Sequence, residues 1–131
     1  MTHELAARVY YEDTDAGGVM YHSNHLKFCE RGRTEYLRNL GFLNSSLMQG
    51  EGILFVVRRI EAEYLKPARL DDFLTVKTAL QTVKNTSFVM KQDIVRGEDI
   101  LFSMNVLLVC VNTEGKPVGL PPAIKTAFVG N

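Results

Sequence analysis

Asp13, Asp15, His22, His25 and Glu30 fall within one stretch of the chain, around a Gly17-Gly18 pair and ahead of a run of periodic apolar residues. Three chemistries are open to these residue types at these spacings. A carboxylate in a turn just ahead of a helix points into the same small volume as the free amides of the helix's first turn. Those amides stabilise negative charge developing on a carbonyl oxygen, one donor being worth about 2.7–4 kcal/mol, so Asp15 with such an amide makes an acyl-transfer site. A thioester is activated enough to be attacked by a carboxylate directly, or by water that the carboxylate orients. The second chemistry is a metal held by His22 and His25 with Asp13 and Asp15. It ranks lower, because no further carboxylate or third histidine completes the helical pattern of a typical site. The third reading is plain structure: acidic residues before a helix commonly make a turn and a cap, and by spacing alone that is the commoner outcome. Glu30 is either a second acid or a solvated helix position.

Farther along, Lys84, Asn85 and Ser87 can grip a phosphate through one charge, one amide and one hydroxyl, although polar loop residues are most often just solvated and no Gly-rich phosphate loop is present. Arg58 sits within an apolar stripe, where it either contacts a ligand, pairs with an acid, or lies at a sheet's rim. Tyr21, in the short apolar step Val19-Met20-Tyr21, completes the binding candidates.

The elements that must position these residues are legible as a change of period. A run of strand formers over 5–11 ends in the acidic, glycine-containing turn 12–18. Helix is expected to begin within 22–24, capped by Ser23 or Asn24. Leu26, Cys29, Tyr36, Leu37 and Leu40 recur at three and four, one buried helical face. Gly32 lies in that stripe at a cost of about 1 kcal/mol against alanine, which marks close approach to a sheet. Arg31 and Glu35 form an i,i+4 pair on the solvated face, and Gly41 ends the helix. One further helical turn is expected over 44–50.

From Gly52 the period becomes two. Val56, Ile60, Ala62 and Tyr64 share one strand face, ending at Lys66-Pro67. Leu74, Val76 and Leu80 make the next face, and Phe88, Met90 and Ile94 that of a hairpin partner. Along 100–111, Ile100, Phe102, Met104, Val106, Leu108 and Cys110 fall on one side, with the other side apolar in its second half, the pattern of a central or interfacial strand. Pro121-Pro122 opens a short terminal helix. The sum is α+β: one early helix and an antiparallel sheet curled around it.

Composition narrows the class. A chain of 131 residues is expected to form a single domain with its own core. With 46% hydrophobic and 23% charged residues it reads as globular and not disordered. Fifteen basic residues balance fifteen acidic ones, so no general nucleic-acid or anionic-membrane surface is expected. Two cysteines are too few for a disulfide framework, and no apolar run approaches the ~20 residues of a membrane span. The start of the chain lacks the pattern of a secretory signal, so a soluble cytoplasmic protein is expected.

Tyr10-Tyr11-Glu12-Asp13-Thr14-Asp15-Ala16-Gly17-Gly18-Val19-Met20-Tyr21-His22, continuing to Glu30-Arg31-Gly32-Arg33-Thr34-Glu35, closely resembles the 4-hydroxybenzoyl-CoA thioesterase family. Within it the chain is most similar to the acyl-CoA thioesterases associated with the Tol-Pal system, and the likeness extends through Pro67-Ala68-Arg69-Leu70-Asp71-Asp72 to Leu120-Pro121. The resemblance implies a hotdog fold, a long central helix wrapped by a curved antiparallel sheet, assembled into dimers or tetramers. It implies hydrolysis of acyl-CoA to free acid and coenzyme A with no cofactor and no metal, coenzyme A being part of the substrate. The catalytic aspartate falls on Asp15 as nucleophile or general base, and the oxyanion donor on the backbone amide of His22. Coenzyme A contacts fall near Lys84, Asn85 and Ser87, where the aromatic-substrate enzyme has a more arginine-rich loop. Asp13 and His25 are left as structure. An alternative use of the same fold is a module that docks an acyl carrier protein or lipid-synthesis partner, with hydrolysis incidental. A hydratase is a weaker alternative, since no His-with-Asp dyad falls at the expected site.

Overall fold

The computed structural model describes residues 1–130. Its elements run β1 (Thr2–Arg8), a 3₁₀ turn (Tyr11–Asp13), α1 (Asn24–Asn39), α2 (Asn44–Glu51), β2 (Ile53–Tyr64), β3 (Phe73–Val83), β4 (Ser87–Arg96), β5 (Asp99–Asn112) and α3 (Pro122–Val129). The five strands form one antiparallel sheet in the order β1-β3-β4-β5-β2. The long helix α1 lies against β1, β3 and β4, which is the expected hotdog arrangement. None of the described helices is long and apolar enough to cross a membrane.

The face of α1 that meets the sheet is wider than the apolar stripe: His25 and Phe28 are buried beside Cys29, Gly32, Tyr36 and Leu37. A Cβ at Gly32 would sit 2.8 Å from Val76 Cγ1, 2.9 Å from Thr78 Oγ1 and 3.1 Å from Gln92 Nε2, so the helix backbone itself rests on β3 and β4. The seat is polar. Gln92, fully buried, donates from Nε2 to the Cys29 carbonyl at 2.8 Å and to Thr78 Oγ1 at 2.9 Å, and accepts from Arg33 Nη1 at 3.0 Å. Three partners satisfy an amide that would otherwise cost a desolvation penalty.

Several boundaries and pairings differ from the sequence reading. β1 stops at Arg8, because beyond it the chain pairs with a loop: Val9 N–H donates to Asp72 O and Asp71 N–H to Val9 O, each at 2.9 Å. Ser23 holds the position before α1 in helical conformation and makes no side-chain cap, while the Asn24 amide turns back to Asp13. Glu35 pairs with Arg38 at 3.1 Å, not with Arg31, whose guanidinium lies over the Phe28 ring. Gly41 ends α1 as expected, at φ +95.

Two bulges also move side chains between faces. The β2–β5 register shifts between Val57 and Arg59, so Arg58 is the extra residue and does not interrupt the inner face. Val57, opposite Leu108, therefore shares that face with Ile60, opposite Val106, and Val56 turns away. On β5, Phe102 pairs with Ile94 and Ile100 with Val95, which leaves Leu101 buried and Ile100 44% exposed. An alternating pattern carries no mark of such a slip.

β2 ends the sheet as a twelve-residue edge. Val56, Val57 and Ile60 are 37%, 45% and 37% exposed along it. A long apolar edge of this kind is a template for pairing with another chain.

Candidate active site

The acidic turn folds as a small hairpin. Asp15 N–H donates to Val19 O at 2.9 Å, Gly18 N–H to Asp15 O at 3.1 Å, and Gly18 closes the turn at φ +81. Asp15 Oδ1 accepts from Gly17 N–H at 2.8 Å, and the carboxylate is exposed. Asp13 is different in kind. It is 6% exposed, and its two oxygens accept from Tyr10 N–H at 2.8 Å and Asn24 Nδ2 at 2.9 Å. Its own carbonyl accepts from Tyr21 N–H at 2.8 Å. Asp13 thus pins the hairpin to the start of α1, leaving Asp15 as the carboxylate with an uncommitted oxygen.

The Pro67 to Asp72 loop holds the hairpin from the other side, through Met20 N–H on Ala68 O at 2.7 Å and a bridge between Val19 and Arg69. Asp72 anchors the loop. Its Oδ2 accepts from Arg69 N–H at 2.8 Å and from Arg96 Nη1 at 2.7 Å. Burial pushes this carboxyl up, but the Arg69 amide and the Arg96 guanidinium outweigh it and hold the group below the usual range. A folded-state pKa depressed in this way gives stability that is present above the unfolded value of about 3.9 and is lost as pH falls through the folded value. Asp72→Asn is therefore expected to lower stability by about 1 kcal/mol at neutral pH. The difference from wild type should close as denaturation is followed from pH 7 to below about pH 4.

Between hairpin and helix, Tyr21 to Ser23 make a turn in which Asn24 N–H donates to Tyr21 O at 2.9 Å. The backbone N–H groups of His22 and Ser23 donate to no acceptor among the described residues. Tyr21 and His22 are exposed, their ring centroids 4.4 Å apart. His22, His25 and Tyr64 line a cavity of about 320 Å³ with Met20 and Leu65. Cys29, on α1's inner face, is fully buried and pushed up to about 12 by that burial, against the pull of Arg33. It has no thiolate to offer. No three described His, Cys, Asp or Glu side chains are grouped to hold a metal ion.

The groove between α1 and β2 widens toward β2's start. Its middle holds Glu30, Arg33, Val57 and Ile60, in about 190 Å³. The far end, about 460 Å³, is walled by Leu37, Leu47, Ile53, Phe55 and Phe88, with Arg33 and Thr34 at its helix side. Asp15 lines none of these three spaces in its own chain.

Lys84, Asn85 and Ser87 form the β3–β4 turn, closed by Lys84 N–H on Ser87 O at 2.8 Å. The eleven residues of β3 span about 35 Å, and the Asp15 hairpin is tied to the loop at β3's start, so one chain does not bring this turn to Asp15. Asn85 is structurally occupied: its carbonyl accepts from Leu120 N–H at 2.9 Å and its Oδ1 from Lys125 Nζ at 2.6 Å. Lys125, on α3, thereby joins Lys84 at the turn, a cation that only tertiary packing reveals. Arg58 is exposed at the bulge of the edge strand.

Comparison with known proteins gives concordant results. A sequence model of the thioesterase-like superfamily matches residues 9–128. The acyl-CoA thioester hydrolase YbgC of Escherichia coli O6:H1 is 48% identical over 123 residues, covering 92% of this chain and 91% of that protein. The crystal structure of a probable thioesterase from Bartonella henselae superposes with a TM-score of 0.90 at 44% identity, covering 92% of this chain and all of the other. A mutant 4-hydroxybenzoyl-CoA thioesterase complexed with 4-hydroxybenzoyl-CoA has the same fold, with a TM-score of 0.88 at 17% identity over 96% of this chain and 97% of its own.

Proposed function

The chain belongs to the thioesterase-like superfamily, and from that premise we propose that it hydrolyses acyl-CoA thioesters with Asp15 as nucleophile or general base and the His22 amide as oxyanion donor. The observation that carries the reading is the division of labour between two aspartates two residues apart. Asp13 is buried and spends both oxygens on the backbone and Asn24, whereas Asp15 is exposed with one oxygen uncommitted, and the His22 and Ser23 amides ahead of α1 are free. In the proposed reaction, Asp15, or water it orients, attacks the thioester carbonyl carbon. The carbonyl oxygen gains negative charge and accepts from the His22 N–H. The intermediate then collapses with loss of the coenzyme A thiolate, a good leaving group. Where water attacked, Asp15 has taken its proton and the free acid is formed directly; where Asp15 attacked, a second water hydrolyses the mixed anhydride to the free acid and restores the carboxylate.

The active unit in this proposal is a homodimer paired through the β2 edges. Antiparallel pairing of two copies sets the Tyr64 end of one strand, which carries His22, against the Ile53 end of the other, which carries the wide apolar groove and lies toward the Lys84 turn. Asp15 and His22 of one copy then serve an acyl chain lying in the groove of the second. Lys84 and Ser87, with Lys125, supply donors for coenzyme A phosphates, while Asn85 holds Lys125. The pairing also covers the apolar edge of β2.

Release of free coenzyme A thiol should be measured over a panel of acyl-CoAs from short to long, beside the same acyl groups on an acyl carrier protein. Turnover of one or more coenzyme A thioesters is expected. Tight capture of the carrier protein with no turnover of any thioester would replace this reading with that of a docking module.

A further inference from the structure

The His22 carbonyl accepts from two side chains that reach it from different elements. Tyr64, the last residue of β2, donates its hydroxyl at 2.6 Å, and Nδ1 of His25, in the first turn of α1, lies 3.2 Å away. The two rings meet edge-on with centroids 4.9 Å apart, and both rest on the buried Phe102 ring, at 4.8 and 5.0 Å. His25 is 3% exposed, and its Nε2 has no protein partner. A carbonyl oxygen only accepts, so the hydrogen bond places the ring proton on Nδ1. Burial lowers this histidine's pKa and favours the neutral ring, against the opposing pull of the His22 and Tyr21 carbonyls.

This arrangement exceeds what a solvated turn needs. A surface turn satisfies its carbonyls with water at little cost, yet here an aromatic hydroxyl and a buried imidazole converge on one oxygen. Donors on a carbonyl fix the plane of the peptide and polarise its N–H. The peptide concerned joins His22 to Ser23, and the His22 N–H is attached to the same Cα as the clamped carbonyl. Donors held in place before reaction need no reorganisation when charge develops.

We propose that Tyr64 and His25 are positioning residues that together clamp the His22 carbonyl, holding the His22–Ser23 peptide and, through the shared His22 Cα, the direction of the His22 N–H that receives the oxyanion. This rests on the assignment of the oxyanion to the start of α1. Sequence alone singles out neither residue for this role, because Tyr64 reads as one more member of a strand face and His25 as a low-ranked metal ligand or as structure.

The test compares kcat, KM and thermal stability for Tyr64→Phe, His25→Asn, His25→Gln and Asp15→Asn on one acyl-CoA. Tyr64→Phe keeps the ring and removes the donor. It should lower kcat about tenfold, less than the about hundredfold of a donor that touches the oxyanion itself, with KM and melting temperature near wild type. The Asn amide nitrogen falls near the place of Nδ1 and the Gln nitrogen nearer Nε2, so His25→Asn should recover turnover relative to His25→Gln. Wild-type kcat in Tyr64→Phe, with Asp15→Asn inactive, overturns the clamp and leaves the proposed function standing. Loss of kcat that follows melting temperature equally in both His25 variants overturns it as well. An active Asp15→Asn overturns the catalytic reading and the clamp with it. Should the His25 variants fail to fold, Tyr64→Phe decides alone.

Discussion

Asp15→Asn is expected to fold, to bind acyl-CoA, and to lose at least about two orders of magnitude in turnover, the scale of one catalytic group. The fold should survive because the hairpin is held by the Asp15 backbone, through its N–H on Val19 O and its carbonyl under Gly18 N–H. The one side-chain contact, Gly17 N–H on Oδ1, is one that an asparagine oxygen also accepts. What the substitution removes is the negative charge on the uncommitted oxygen, and with it both the nucleophile and the base. Steady-state kinetics, ligand titration and melting temperature on the same preparation separate these consequences. A variant that turns over within a few-fold of wild type would remove Asp15 from the mechanism.

The second large effect concerns the composite site. Thr34 lies at the helix side of the wide groove and is partly exposed, so Thr34→Trp should fill the groove without disturbing the core. Alone it should abolish most turnover, as Asp15→Asn does. If one copy's Asp15 serves the other's groove, a dimer of one Asp15→Asn chain with one Thr34→Trp chain contains one intact site. Random pairing of equal amounts makes about half of all dimers mixed, so about a quarter of wild-type turnover should return on co-refolding. If each site were built from a single chain, no mixed dimer would hold an intact one, and turnover would stay at the level of the parents.

How much of this was legible in the sequence depended on the range of the interaction. Local signals read well: the 3.6 period gave α1, Gly41 its end, Gly32 its close approach, and Pro121-Pro122 the start of α3. Bulges did not, since a slipped register at Arg58 or Leu101 leaves the composition of a strand unchanged while exchanging its faces. Nor did the polar seat, because Gln92 and Thr78 interrupt apolar stripes and are explained only by the helix backbone lying on them. The candidate site was legible as a motif but not as an assembly. Asp15 and His22 are neighbours along the chain, whereas Asp13's link to Asn24, Lys125's to Asn85 and Tyr64's to His22 span 11, 40 and 42 positions and arise from packing. The separation of the Lys84 turn from Asp15 follows from β3's length and direction, which become meaningful only once the hairpin's attachment to the loop before β3 is known.

The central claim, that the Asp15 carboxylate carries the thioester-cleaving step, is tested most directly by single-turnover release of coenzyme A thiol with enzyme in excess over an acyl-CoA, for wild type and Asp15→Asn. This reads cleavage without product release. The predicted result is a first-order rate constant at least about a hundredfold lower in the variant, with saturation at a similar enzyme concentration. Equal rate constants for the two proteins would contradict it.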